Sequence, residues 1–241
     1  MTLTSEGSSE SRAPPQVDLS NNRIASIDSE AFTGFHHLKR LDLSRNKLKV
    51  LRDGAFRGCL TLNTLLLNYA GVRTIEPTAL VDFKALEHLD LRNNELAVPD
   101  SIHKLGILTN LRTLLLSGND LSNLTDTWGN DNGSLASLDA MEELGELELE
   151  DCGMESFSDA FIAANAKLKK IKLGGNRFTA LPRGLFKNQV FLRELHLDRN
   201  NFSAMPAASL QYLYNLVILN ISGNCLGHLG ENFFDDVGGL R

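Results

Sequence analysis

Apolar residues along this chain fall into a short recurring phrase, with leucine or another apolar residue at its first, fourth and sixth places and mostly polar residues between. It reads LKRLDLSRNKL from Leu38, LNTLLLNYAGV from Leu62, LEHLDLRNNEL from Leu86 and LRTLLLSGNDL from Leu111. It continues as LGELELEDCGM from Leu144, LKKIKLGGNRF from Leu168, LRELHLDRNNF from Leu192 and LVILNISGNCL from Leu216. A degenerate copy, PPQVDLSNNRI, starts at Pro14. Successive copies begin 24, 24, 24, 25, 33, 24, 24 and 24 residues apart, and a fixed period of this size marks a repeat architecture. The alternation predicts one short strand per copy with a single buried face. Stacked copies then give a parallel sheet, backed by the second half of each repeat, where residues such as Ile24, Ile27 and Phe32 complete the core. No repeat can bury its apolar face alone, so stability is a sum over repeats and their interfaces.

Asparagine recurs just after the strands, at Asn22, Asn46, Asn94, Asn119, Asn176, Asn200 and Asn224. A buried amide there can satisfy main-chain groups of the neighbouring turn. Ala70 and Cys152 occupy two of these places. Alanine offers no side-chain hydrogen bond, so the turn at Ala70 is expected to be loose and Ala70→Asn to be stabilising. Cys152 is read as a structural substitute, since buried cysteine behaves as a small apolar residue with a weak donor.

The phrase matches LxxLxLxxNxL, and from about residue 14 to 241 the chain resembles the leucine-rich-repeat family. The trailing halves IASIDSEAFTGF, LKVLRDGAFRGC and FTALPRGLFKNQ resemble the 24-residue subclass typical of extracellular members. LAVPDSIHKLGILTN, from Leu96, instead resembles the form frequent in plant-type and intracellular repeats. The resemblance implies an α/β fold, a curved horseshoe solenoid with a parallel β-sheet on its concave face and an irregular or short-helical convex side. It also implies that the recurring asparagines form a structural ladder. The organisation expected is a disordered segment over 1–13 and a solenoid over 14–241 of about nine repeats, with strands starting near 14, 38, 62, 86, 111, 144, 168, 192 and 216. Leu240 falls one period after Leu216, so the chain reads as a segment of a longer array.

Composition narrows the function. Of 241 residues 44 are Leu, against 1 Trp, 3 Tyr and 4 Met, so the core is mostly aliphatic. The leucines are dispersed among charges, and no window approaches the roughly 18 unbroken apolar residues of a membrane span. A net charge of −6 lacks the basic footprint of nucleic-acid binding. Cys59, Cys152 and Cys225 have no metal spacing and read as buried free thiols. No GxSxG, HExxH, Walker-type or dinucleotide motif occurs, so no enzyme, cofactor or metal is expected. In DTWGNDNGS, placing Gly133 sixth in a calcium loop puts Trp128 where the first oxygen ligand belongs, so that match fails. Gly174 and Gly175 are read as a tight turn, and His36, His37 and His88 as surface residues.

What remains are surfaces. The third and fifth places of each phrase point out of the sheet, and the candidate concave-face ligand positions are Arg40, Asp42, Thr64, Leu66, Tyr69 and His88, with Asp90, Thr113, Leu115, Glu146 and Glu148, and then Lys170, Lys172, Glu194 and His196. Leu66, Leu115 and Tyr69 are expected to be exposed anchors ringed by charge. The acidic copy from Leu144 precedes a lysine-rich one, an arrangement that allows cross-strand neutralisation. The longest interval carries an insertion around Trp128, a candidate contact loop whose alternative role is covering the convex core. Sequons make Asn123, Asn132, Asn201 and Asn220 candidate glycosylation sites. The resemblance implies a binding module for a protein or glycan ligand, extracellular or at the cell surface as part of an exported protein. Its alternatives are a cytoplasmic scaffold and the sensor segment of a larger receptor such as a kinase. A homodimer is also open.

Overall fold

The computed structural model describes residues 15–96, 100–122, 138–156, 162–204, 210–231, 233–235, 237 and 239–240. Segment 1–13, the insertion around Trp128, and Asn123 and Asn132 lie outside the described residues.

Alternation around one central apolar residue gives strands three residues long. In chain order they are β1 (Gln16–Asp18), β2 (Arg40–Asp42), the two-residue β3 (Val50–Leu51), β4 (Thr64–Leu66), the two-residue β5 (Thr74–Ile75) and β6 (His88–Asp90). There follow β7 (Thr113–Leu115), β8 (Glu146–Glu148), β9 (Lys170–Lys172), β10 (Glu194–His196) and β11 (Ile218–Asn220). Nine of them form one parallel sheet in the order β1-β2-β4-β6-β7-β8-β9-β10-β11, the solenoid that the period implied. The register sets Leu41 beside Leu65, Leu65 beside Leu89, Leu89 beside Leu114, Leu114 beside Leu147 and Leu147 beside Ile171. These residues are essentially inaccessible to solvent and make one continuous apolar row.

On the convex side β3 pairs with β5, and Phe32, Phe56 and Phe83 stack behind them, with ring centroids 6.1 and 5.0 Å apart. The plant-like copy departs here. It forms a helical turn, α1 (Asp100–His103), continued by a 3-10 turn over Lys104–Ile107. Ser101, wholly buried in α1, closes the small sheet: its Oγ accepts from the Ile75 N–H at 3.3 Å and donates to the Arg73 carbonyl at 3.3 Å.

A residue with left-handed backbone precedes every rung position, including Arg45 (φ 54°), Tyr69 (56°), Asn93 (54°), Gly175 (67°) and Arg199 (53°). Gly175 is needed for a second reason, because a Cβ there would lie 1.9 Å from Asp151 Oδ1. The rungs themselves are built alike. Asn94 Nδ2 donates to the carbonyls of Leu67 (2.9 Å) and Leu91 (2.8 Å), while its Oδ1 accepts from the Val72 N–H (2.8 Å). Asn46, Asn119, Asn176, Asn200 and Asn224 repeat this pattern one turn at a time. Among the described residues Asn22, in the first turn, bonds only to carbonyls of its own turn, those of Leu19 and Ser20.

The two exceptional rungs correct an expectation. At Ala70 no loose polar group is left, because the Leu48 N–H, which an asparagine Oδ1 would have accepted, donates at 2.8 Å to the Ala70 main-chain carbonyl. The Leu121 N–H does the same with the Cys152 carbonyl at 2.9 Å. The Cys152 thiol, pushed up to about 12 by burial, stays protonated and points at the Glu150 and Leu116 carbonyls, 3.3 and 3.6 Å away. Ala70→Asn therefore replaces a bond already made instead of satisfying a vacant one, in a site with no exposed surface. Thermal denaturation should show no gain from it; a rise worth more than about 1 kcal/mol would show the main-chain bond to be a poor substitute. Two of the three thiols are buried as expected, but Cys225, in the turn after β11, is exposed.

Candidate functional site

The side chains that face outward form two rows across the sheet. One runs Gln16, Arg40, Thr64, His88, Thr113, Glu146, Lys170, Glu194 and Ile218, and the other Asp18, Asp42, Leu66, Asp90, Leu115, Glu148, Lys172, His196 and Asn220, each neighbour pair in register. The structure thus brings the fourteen strand candidates onto one face. Tyr69 stands apart from them, in the left-handed turn beyond β4.

The middle of the second row is closed, which the sequence did not suggest. Asp90, Leu115 and Glu148 are only 3%, 7% and 4% exposed, so none is an available ligand position, and Leu115 is not an exposed anchor. The cause is Arg92, two residues beyond β6. Its Nε and Nη2 donate to the two carboxylate oxygens of Asp90 at 3.0 and 2.7 Å, and its Nη1 lies 3.7 Å from Glu148 Oε2. Asp90 and Glu148 sit on strands two apart, with Leu115 between them. The guanidinium bridges the pair across Leu115, and its planar fork suits such bidentate work. No periodic rule singles out Arg92; its signal lies in being a cation two residues after an outward acid.

Beyond β7 the face neutralises itself. Lys170 Nζ lies 2.8 Å from Glu146 Oε1 and Lys172 Nζ 2.5 Å from Glu148 Oε1, so the acidic and basic strands pair as the ladder allows. The Glu146 bond holds the Lys170 ammonium above its usual range. His88 is half-buried, not a free surface residue, and burial pushes its imidazole below the usual histidine range.

The stretch from β2 to β6 is different. Arg40 and Asp42 approach only to 4.0 Å, Leu66 is half-buried, and Tyr69 is 49% exposed with the Arg45 guanidinium 5.0 Å from its ring centroid. Of the sequons, Asn201 is exposed, whereas Asn220 Nδ2 donates to Asp198 Oδ1 at 3.0 Å. Among the described residues no group of three or more His, Cys, Asp or Glu could hold a metal ion, and no helix is long and apolar enough to cross a membrane.

Comparison with known proteins places this geometry. Podocan-like protein 1 of Mus musculus is 28% identical over 247 residues, a match covering 94% of this chain and 43% of that protein. Toll-like receptor 3 of Boselaphus tragocamelus is 28% identical over 89% of this chain and 27% of its own length. The chain therefore spans less than half the length of these curated relatives. Among solved structures, the complex of TLR13 with ssRNA13 superposes with a TM-score of 0.80 at 25% identity, covering 94% of this chain and 32% of that one. The model of the leucine rich repeat matches residues 16–70, 43–96 and 191–241, together more than half of the chain. With nine in-register strands, a ladder of buried asparagines and that match, the chain belongs to the leucine-rich-repeat family.

Proposed function

We propose that this chain is a non-enzymatic recognition module that binds a protein ligand on the concave face between β2 and β6, as part of a secreted or cell-surface protein. The observation that carries the reading is the contrast along the face. From β6 to β9 the outward charges are closed by one another, while Arg40, Thr64, Leu66 and the Arg45–Tyr69 pair remain open to a partner. A half-desolvated leucine, followed three residues later by an exposed aromatic that an arginine covers, has the composition of an interface anchor. Solenoid curvature supplies the extended surface. The names of the relatives agree with a binding role, one being a receptor, and a net charge of −6 favours a protein over a nucleic acid. Export would make Asn201 the preferred glycan acceptor of the two described sequons, because the Asn220 amide is already engaged.

The test is a screen of purified extracellular proteins against the multimerised chain, repeated with Tyr69→Ala and Leu66→Ala. A ligand held on this face loses at least tenfold in affinity with each variant while the melting temperature of Tyr69→Ala is unchanged. Ligands that ignore both substitutions, or a preference for single-stranded RNA over every protein, overturn the reading.

A further inference from the structure

A second site stands on the flank of the sheet, independent of the concave-face reading. The residues just before the strands form a row of their own. The N–H of Gly145 donates to the Arg112 carbonyl, that of Lys169 to Gly145 and that of Arg193 to Lys169, each at 2.8 Å. Their side chains are thus offset by about 4.8 Å per strand, with an empty place where Gly145 has none. Over that glycine opens a cavity of about 710 Å³. Phe191, 55% exposed, forms one wall.

Charge here runs against the rest of the molecule. Among the described residues five cations and two carboxylates line the cavity, in a chain of net charge −6. Both carboxylates are held by lysines, Glu143 by Lys167 and Glu146 by Lys170, the latter at 2.8 Å. Arg112 reaches Glu87 at 3.6 Å. Among the described residues no carboxylate lies within 4.0 Å of Lys169 or Arg193, so two adjacent cations face the cavity unneutralised.

The ligand must supply anionic groups for Lys169 and Arg193, donors for the remaining oxygens of Glu143 and Glu146, and an apolar ring face for Phe191. Sulfated sugars carry all three. A cavity within the ordinary small-ligand range of about 300–1,000 Å³ takes a short piece of such a chain. Single-stranded nucleic acids are held on successive aromatic platforms, and among the described residues one ring lines this cavity. We propose that the flank cavity around Gly145 binds a sulfated oligosaccharide, paired by Lys169 and Arg193 and stacked on Phe191.

Calorimetric titration of the full chain decides it, with a size-defined sulfated heparin tetrasaccharide, its desulfated counterpart and an RNA octanucleotide as probes. The double variant Lys169→Ala/Arg193→Ala removes the pairing. Gly145→Leu fills the space, and a Cβ at this glycine would meet nothing nearer than the Arg112 carbonyl oxygen at 3.6 Å, an ordinary contact. Arg57→Ala, on the convex side, is the control. The sulfated tetrasaccharide should bind, lose at least tenfold with either flank variant, stay within twofold for Arg57→Ala, and bind far better than the desulfated probe. Absence of binding, equal binding of the desulfated sugar, or affinity unchanged in Lys169→Ala/Arg193→Ala overturns the proposal. RNA binding tighter than the sugar and lost with the same pair reassigns the cavity to nucleic acid. The two exposed cations decide even where Gly145→Leu folds poorly.

Discussion

Asn176→Ala should lower the unfolding free energy by about 3 kcal/mol, read from urea denaturation at unchanged m-value. Two buried main-chain donors converge on its Oδ1, the N–H groups of Cys152 and Met154, both at 3.1 Å. Its Nδ2 also ties the Leu149 and Leu173 carbonyls of adjacent turns at 2.7 and 2.9 Å. A buried donor left without an acceptor costs about 1–3 kcal/mol, and two such donors are at stake here. The position also adjoins a rung that lacks an amide, as Asn46, Asn94 and Asn119 do. Its neighbour at Cys152 already relies on a main-chain carbonyl, so the substitution makes two consecutive turns without an amide. Asn22→Ala, at an exposed rung bonded only within its own turn, is the matched control and should cost less than about 1 kcal/mol. Equal losses at the two positions would show that the ladder does not work through shared donors.

Arg92→Ala should cost about 2 kcal/mol. Breaking a buried pair from one side leaves the other charge uncompensated, a penalty of about 3–5 kcal/mol when both partners are buried. Here Asp90 is 4% exposed at its side chain but Arg92 is 40% exposed, so water recovers part of it. Glu148 keeps Lys172 at 2.5 Å, and the loss falls on Asp90, which is left with the Arg92 N–H at 3.0 Å. The double variant Arg92→Ala/Asp90→Asn should therefore be more stable than the single one, by about 1 kcal/mol, in the same titration. A single variant within about 0.5 kcal/mol of wild type would place the pair among ordinary surface ion pairs. In Arg92→Ala, Leu115 also becomes accessible, and binding of an apolar fluorescent probe should rise with it.

Sheet order, register and the residues on the concave face were all legible in the sequence. Each follows from a local period of two and a repeat period near 24, which leave one consistent alignment. Burial within that face was not. Asp90, Leu115 and Glu148 carry the same pattern as their exposed counterparts, and side chains that reach over them, Arg92 from beyond β6 and Lys172 from β9, close them off. Ala70 was misjudged for a related reason. The compensating acceptor is a main-chain carbonyl, which every residue possesses and no sequence position advertises. Gly145 shows the same blindness from the other side, since a missing side chain makes a cavity only once its neighbours in the row are known.

The bridge from Arg92 has a mechanical consequence. It joins β6 to β8 on the inner arc of the horseshoe, where straightening the array lengthens every chord while the outer arc shortens. A tie spanning two strand intervals on that side acts as a bowstring. With the Lys170 and Lys172 pairs continuing the tie to β9, the array resists flattening most between β6 and β9 and yields first nearer its two ends, so a pulling force applied there would be absorbed unevenly along the solenoid.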